Sequence, residues 1–563
     1  MRKFVPLYAM IFAAIVLAAF AISPPRVSSP NTPANEFSSA RAMVDVREIS
    51  AAPHMTGTPE NVQVRDYLGA RLTALGFEVS LSKGELNKRA LARLNRWSGQ
   101  ERTRQEFVNI IGVRHGTNPN LPALLFMAHH DTVWGSPGAA DATIGLASIL
   151  EIARTLQEAP RPPRDLIVLF TDAEELGLNG ARQFFKSHPL ADRIGAVINF
   201  EARGGGGTAN MFQTSAGNSG AARLYARAVR EPSTSSLSTF VYSVLPNDTD
   251  LTPALERDYT AYNFANIGAA KYYHSPKITA EALDERSLQH MGSQGLDLTR
   301  ALLSSAPLPK TANDASFFDV FGFFTLVFAP FWGWVFLLLT VVSLGLSAPR
   351  ERPVKVTARD IAIGAAKMLA LIIIGGGALY GLNILSGAGG NYYDRLAAIP
   401  KLEFMTATLC GAVFFALFGR GGLPCGARIG IALPLLALGL VLQLYAPTAS
   451  YFLTIPVMFY GLTVLAKKKL PSERLGTLTA VVFGALVMGY MIGLGHLLML
   501  GVGPDLPSLA IIIMAAGSLF LLPLYQGLSK RAAYGLAAIF FALSLAQALF
   551  IRLDPIASTI ALY

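Results

Sequence analysis

Charge and cysteine are what this sequence has least of. Only 15% of its 563 residues are charged, against 52% hydrophobic, where soluble domains carry roughly 25% charged residues. Its two cysteines, Cys410 and Cys425, both fall in the apolar C-terminal half, so the polar half can build neither a disulfide framework nor a cysteine metal site. A single basic patch is also missing. The net charge of +10 is spread over short clusters between apolar runs, as in cytoplasmic loops under the positive-inside rule rather than on a nucleic-acid surface. Nucleic acid is therefore not expected among its partners. The length allows two or three domains.

Long apolar runs are what the chain has in excess. After Arg2 and Lys3 comes "FVPLYAMIFAAIVLAAFAIS", about 20 apolar residues, enough to cross a bilayer. That length favours a retained anchor over residues 1–23, with a cleavable signal peptide as the competing reading. Eight further runs, near 326–347, 361–384, 403–419, 429–446, 451–466, 475–499, 508–527 and 533–551, make residues 313–563 an all-α multi-span membrane domain. "FFDVFGFFTLVFAP", just before Trp332, is either interfacial or part of the polar domain. Cations cluster at alternate connections: Arg350, Arg352, Lys355 and Arg359; Arg420 and Arg428; Lys467, Lys468, Lys469 and Arg474; Lys530 and Arg531. The alternation predicts nine spans counting the anchor, both the C-terminus and residues 24–312 lying outside the cytoplasm, and the lipid bilayer as a partner. Within the spans, Lys367 can snorkel from near a cytoplasmic end. His496 is a functional candidate simply as a polar residue in an apolar run, with packing or an interfacial position the plainer reading.

Residues 24–312 have the pattern of a soluble α/β domain. "FVNIIGVRHG", "ALLFMAHH", "LIVLFTDAEE" and "AVINFEA" read as short buried strands. "ENVQVRDYLGARLTALG" and "DATIGLASILEIARTLQ" read as helices, the second opened by Asp141 as cap or first-turn residue. Such alternation predicts a mostly parallel or mixed sheet flanked by helices.

Potential metal ligands collect where these strands end. His129, His130 and Asp131 follow "ALLFMA", Asp141 opens the next helix, Glu174 and Glu175 end "LIVLFTDAEE", Glu201 ends "AVINFEA", and "AKYYHSPKIT" offers His274. Taken singly, a histidine at a strand end is usually a hydrogen-bonded loop residue, Asp141 an N-cap, and Glu174-Glu175 a solvated helix start. Taken together, they are histidines and carboxylates brought to the carboxyl edge of one open sheet, where functional residues gather. They have the donor types zinc favours, and a short-armed Asp suits a bridge between two ions.

The series "HHD…GAAD…EELGLNGARQF…NFEA…YYH" resembles the co-catalytic zinc exopeptidases of metallopeptidase family 28, in order and spacing, over nearly the whole domain. "AAPHMTGTPENVQVRDYL" and "NFEARGGGG" are similar to its membrane subgroup, which contains endoplasmic reticulum metallopeptidase 1 and the fungal vacuolar membrane protease. The resemblance implies the zinc exopeptidase fold and two Zn2+ ions. It makes His129 and Glu201 ligands of one ion, Glu175 and His274 ligands of the other, and Asp141 the bridge. Glu174 would be the general base, with Asp131 orienting His129; His130 stands at a variable position. The family commonly has Asp where this chain has Glu201, and Thr and Asp where it has Ser275 and Ile278. Asp248 and Asp250 fall in a family turn, with Asn247 replacing Ser.

The function so implied is a membrane-anchored aminopeptidase acting on peptides outside the cytoplasm, in a bacterial periplasm or, in a eukaryote, an endoplasmic reticulum or vacuolar lumen. Two further readings are a glutaminyl cyclase-like acyltransferase and a receptor or scaffold that kept the fold without catalysis.

Overall fold

The computed structural model describes residues 4–305, 307–348, 356–504 and 506–554. They form two compact units, one running from Ser23 to Val327, the other combining the N-terminal helix with the described chain between Phe328 and Asp554.

The first unit is built on a seven-stranded sheet. Its strands are β1 (Glu78–Glu85), β2 (Glu106–Arg114), β3 (Ala123–His129), β4 (Leu166–Thr171), β5 (Ile194–Ala202), β6 (Gly206–Thr214) and β7 (Thr260–Gly268), in the order β1-β2-β4-β3-β5-β7-β6. The centre, β4-β3-β5-β7, is parallel, and β1, β2 and β6 join antiparallel. The sheet is therefore mixed. Strands β3 and β4 are buried along their whole length, which is why they read as unbroken apolar runs rather than alternating ones. The apolar-run criterion misses β1, a half-exposed edge, and β6 and β7, whose apolar residues are interrupted by Asn, Gln and Gly.

Helices cover both faces. Phe126, Phe200 and Ile198 of the sheet pack with Ile144, Ala147 and Ile152 of helix Thr143–Thr155 and Met291, Leu296 and Leu298 of helix Glu285–Ser304. On the other face Leu125, Leu169 and Val197 pack with Phe184 and Phe185 of helix Asn179–Ser187. Helix Thr143–Thr155 lies close to β5 because Gly145 has no side chain: a Cβ there would stand 2.9 Å from both the Cβ and the carbonyl oxygen of Phe200. Asp141 directly precedes this helix. Gly145→Ala is expected to cost about 1–3 kcal/mol, the usual range for overpacking a filled core, read as a lowered unfolding midpoint. An unchanged midpoint would show that the helix can move away freely.

His290, also on helix Glu285–Ser304, is buried and neutral. Its Nδ1 accepts from the Ala209 N–H at 3.1 Å and its Nε2 donates to the Glu231 carbonyl at 2.9 Å. Burial lowers it from 6.5 to about 4. Below pH 6.5 the unfolded chain therefore takes up a proton that the folded chain refuses. The stability of this unit is full above pH 6.5 and falls as pH drops to 4, by up to about 3 kcal/mol for this group. The slope of melting temperature against pH across that window is expected to be shallower in His290→Gln. An identical slope would place the effect elsewhere.

The segment 316–328 folds as a two-stranded hairpin of Ser316–Asp319 and Thr325–Phe328. Phe318 bridges to Ser235, so this apolar stretch begins as part of the α/β unit.

In the second unit, six helices among the described residues are long and apolar enough to cross a membrane: Val5–Ile22, Ala358–Leu385, Ile399–Phe418, Gly426–Tyr445, Glu473–Val502 and Lys530–Leu553. Trp332–Ser347 and Pro507–Leu521 are apolar but shorter, and Tyr451–Lys469 ends in three lysines. Each expected run thus holds a helix. Arg350, Arg352, Lys355 and the C-terminal residues 555–563 lie outside the described residues. Val5–Ile22 packs along Glu473–Val502, with Met10 seated in the space left by Gly484, the close small-residue approach that joins helices in membranes. Lys367 donates to the Leu417 carbonyl at 2.9 Å. His496 Nδ1 stands 2.6 Å from Glu403 Oε1, so this histidine is paired.

Candidate metal centre

Because β3, β4 and β5 run parallel, their carboxyl ends lie on one edge of the sheet. His129 ends β3 and Glu201 lies near the end of β5, while Glu174 and Glu175 occupy the turn after β4. Asp141 stands in the loop between β3 and its following helix, and His274 just after a short helical turn beyond β7. Asp141 does not cap that helix, whose N-cap is Ala142 with no side-chain bond. Its carboxylate faces two histidines instead.

The distances define two groups that share it. His129 Nε2 is 3.0 Å from Asp141 Oδ1 and 3.6 Å from Glu201 Oε2. His274 Nε2 is 3.3 Å from Asp141 Oδ2 and 3.3 Å from Glu175 Oε1. His129, Asp141 and Glu201 each offer a ligand atom within 4.8 Å of the others, and so do Asp141, Glu175 and His274. A third such group, His129, Glu174 and Glu175, keeps Glu174 beside both.

The surroundings orient these atoms. His129 Nδ1 lies 2.8 Å from the main-chain carbonyl of Asp131, which can only accept, so Nδ1 carries the proton and Nε2 turns to the carboxylates. The Asp131 carboxylate is farther from that ring, at 3.7 Å. It accepts instead from the N–H groups of Glu174 at 3.0 Å and Glu175 at 3.2 Å, and so holds the turn that presents both glutamates. Asp131 thus orients His129 with its backbone and the two glutamates with its side chain. His130 points elsewhere, donating to the Val108 carbonyl at 3.0 Å. Ser275 and Ile278, where the family pattern differs, use main-chain carbonyls that accept from Ser136 Oγ and Ala139 N, tying the His274 loop to the loop of Asp141. His274 itself sits at φ 54°, in the left-handed region that few residues other than glycine adopt.

The electrostatics suit a multivalent cation. Five carboxylates, Asp131, Asp141, Glu174, Glu175 and Glu201, meet two histidines in a largely buried space. Burial opposes ionising Asp141, and the facing imidazoles of His129 and His274 outweigh it, holding the carboxyl at about 2. Burial likewise opposes protonating His129, and Asp141 and Glu201 outweigh it, raising the imidazole well above its ordinary value. Burial, reinforced by the charges of Glu201 and Glu175, pushes Glu174 well above the ordinary carboxylate range. With Nδ1 held by a carbonyl, Nε2 presents to these carboxylates a proton that a divalent ion would displace, and the surplus negative charge around it is what such an ion neutralises.

Two further acids support the site: Asp250, from the turn already noted in the sequence, and Asp172, whose part only the fold shows. Asp250 is fully buried, accepts from Thr171 Oγ1 beside the site, and is pushed up to about 7 by burial and then by Glu201. Asp172 accepts from Thr56 Oγ1, Val108 N and Ala173 N, each at 2.8 Å. It fastens the "AAPHMTGTP" segment beneath the Glu174-Glu175 turn. Asp248 is exposed and accepts from Thr252 Oγ1 at 3.2 Å within its own turn.

The model of peptidase family M28 matches residues 109–299, the span that holds His129, Asp131, Asp141, Glu174, Glu175, Glu201 and His274. This span forms a peptidase family M28 domain. The vacuolar membrane protease of Eremothecium gossypii is 30% identical over 315 residues, covering 53% of this chain and 31% of the relative. Endoplasmic reticulum metallopeptidase 1 of Mus musculus is 31% identical over 234 residues, 40% of this chain and 26% of the relative. The chain thus spans about a third of the length of the curated relatives it matches. Among solved structures, a zinc aminopeptidase from Bacillus subtilis is 14% identical with a TM-score of 0.38, covering 50% of this chain and 99% of its own. Porphyromonas gingivalis glutaminyl cyclase is 20% identical with a TM-score of 0.38, covering 47% and 99%.

Proposed function

We propose that this M28 chain is a membrane-anchored zinc exopeptidase, an aminopeptidase that hydrolyses peptides on the non-cytoplasmic side of its membrane, in a bacterial periplasm. The observation that carries the reading is the sharing of Asp141 between His129 with Glu201 on one oxygen and His274 with Glu175 on the other. These five side chains would hold two zinc ions, which when bound supply Lewis-acid polarisation of the scissile carbonyl and acidify the attacking water. Glu174, beside both groups and not needed in either, takes the proton of the attacking water and returns it to the leaving amine. Asp131 keeps Glu174 in place through its main-chain N–H. Sidedness is supported by the alternation of Arg420, Arg428, Lys467, Lys468, Lys469, Lys530 and Arg531 with cation-poor connections along the helical unit.

The test is product analysis on the purified chain with two zinc ions per molecule. Unblocked peptides should lose residues from the amino end, N-acetylated copies should persist, and glutamine-headed peptides should be trimmed. Cyclisation of the glutamine-headed peptides would favour a cyclase, and trimming from the carboxyl end would reverse the end specificity. Two bound ions with every peptide intact would sink the hydrolase reading.

A further inference from the structure

Strand β5 places Asn199 two residues before Glu201 and therefore on the same face. Asn199 stands directly across from Asn263 on β7, and Asn263 directly across from Gln213 on β6. The three amides form a hydrogen-bonded ladder. Gln213 Oε1 accepts from Asn263 Nδ2 at 2.9 Å, Asn263 Oδ1 accepts from Asn199 Nδ2 at 3.0 Å, and the second N–H of Asn199 reaches Glu201 Oε1 at 3.1 Å. Asn263 Nδ2 also donates to Thr249 Oγ1 at 2.9 Å. Asn199 and Asn263 have no solvent exposure. Amides in the interior of a parallel sheet cost free energy unless they are paired, and nothing in the packing calls for them where apolar residues are the rule.

The ladder has a direction. Because Asn263 spends its amide hydrogens on Gln213 and Thr249, it turns its carbonyl oxygen to Asn199, and Asn199 must then point its NH2 group at both Asn263 and Glu201. One oxygen of Glu201 is thereby held, and the other, Oε2, is left 3.6 Å from His129 Nε2. We propose that Asn199 is a positioning residue for Glu201, and that the ladder behind it is what lets the longer glutamate arm serve where a shorter aspartate would need no anchor. The inference rests on Glu201 being a zinc ligand, as proposed above.

The experiment is zinc titration of the full-length chain in detergent against a chromophoric chelator, for Asn199→Ala, Glu201→Asp and the double variant, with metal-free melting temperatures alongside. Asn199→Ala should weaken one of the two ions about 10–100-fold, the range for losing the partner of a ligand, and leave the other unchanged. In the Glu201→Asp background the same change should cost far less, while the metal-free melting temperature shifts equally in both. Equal losses of affinity in the two backgrounds would make Asn199 merely structural, and two ions held as tightly as in the wild type would overturn the proposal by itself. A wild-type chain that binds no zinc would overturn both this inference and the functional reading. If Asn199→Ala does not fold, Gln213→Ala, which loosens the far end of the ladder, should give a smaller loss confined to the same ion. No loss there would overturn the proposal equally.

Discussion

Glu174→Gln is expected to lower kcat for peptide hydrolysis by about 10^2–10^4, the contribution of a positioned general acid–base group, with both zinc ions retained. Glutamine keeps the length of the side chain, and the main-chain N–H that Asp131 accepts is untouched, so the turn should hold its shape. The lost capacity is proton transfer. KM should change little, because a substrate held at the site does not need the carboxylate until the attacking water gives up its proton. Metal content decides between two roles, since Glu174 also lies in a group with His129 and Glu175 that could ligate an ion. Native mass spectrometry showing two ions with low kcat would establish the proton-transfer role. Loss of one ion would make Glu174 a ligand and leave the base unidentified.

Asp141→Asn should have the larger effect. Each oxygen of Asp141 faces a different histidine, at 3.0 Å and 3.3 Å, so one substitution removes charge from both groups. Affinity for both ions should fall by more than about 100-fold, beyond the 10–100-fold seen when only a ligand's partner is lost. Hydrolysis should fall to background. By contrast, His274→Ala should release one ion first. Retention of one tightly held ion in Asp141→Asn would show that Asp141 belongs to a single ion and does not bridge. Exhaustive chelation of the wild type should reproduce the inactive state, and added zinc should restore it.

Much of this was legible before any fold was known, for reasons that can be named. Strands β3 and β4 are buried on both faces, so composition alone marks them. Each delivers its polar residues at the end, where the chain leaves the core. The helices of the second unit are recognisable because a bilayer-length apolar run has few other uses. Strand β7, "TAYNFANIG", was not legible: its buried asparagines look like loop chemistry until their register partners are known. The hairpin at 316–328 was ambiguous for the opposite reason, since exposed Phe323 and Phe324 resemble an interfacial segment when read in one dimension.

By itself, the sequence determined the division into a polar α/β half and an apolar helical half, and the order His129, Asp131, Asp141, Glu174, Glu175, Glu201, His274 along one sheet edge. These are local properties: burial writes itself into hydropathy, and a strand end is a position in the chain. Only the tertiary structure decided which atom faces which. It turned Asp141 from a helix cap into the carboxylate between two histidines, sent His130 back into the sheet, gave the Asp131 side chain to the Glu174-Glu175 turn, and lined up Asn199, Asn263 and Gln213 behind Glu201. Those pairings join residues as many as 133 positions apart, as His274 and Asp141 do, and they are set by strand register and by the closing of loops onto one another, which no local pattern encodes.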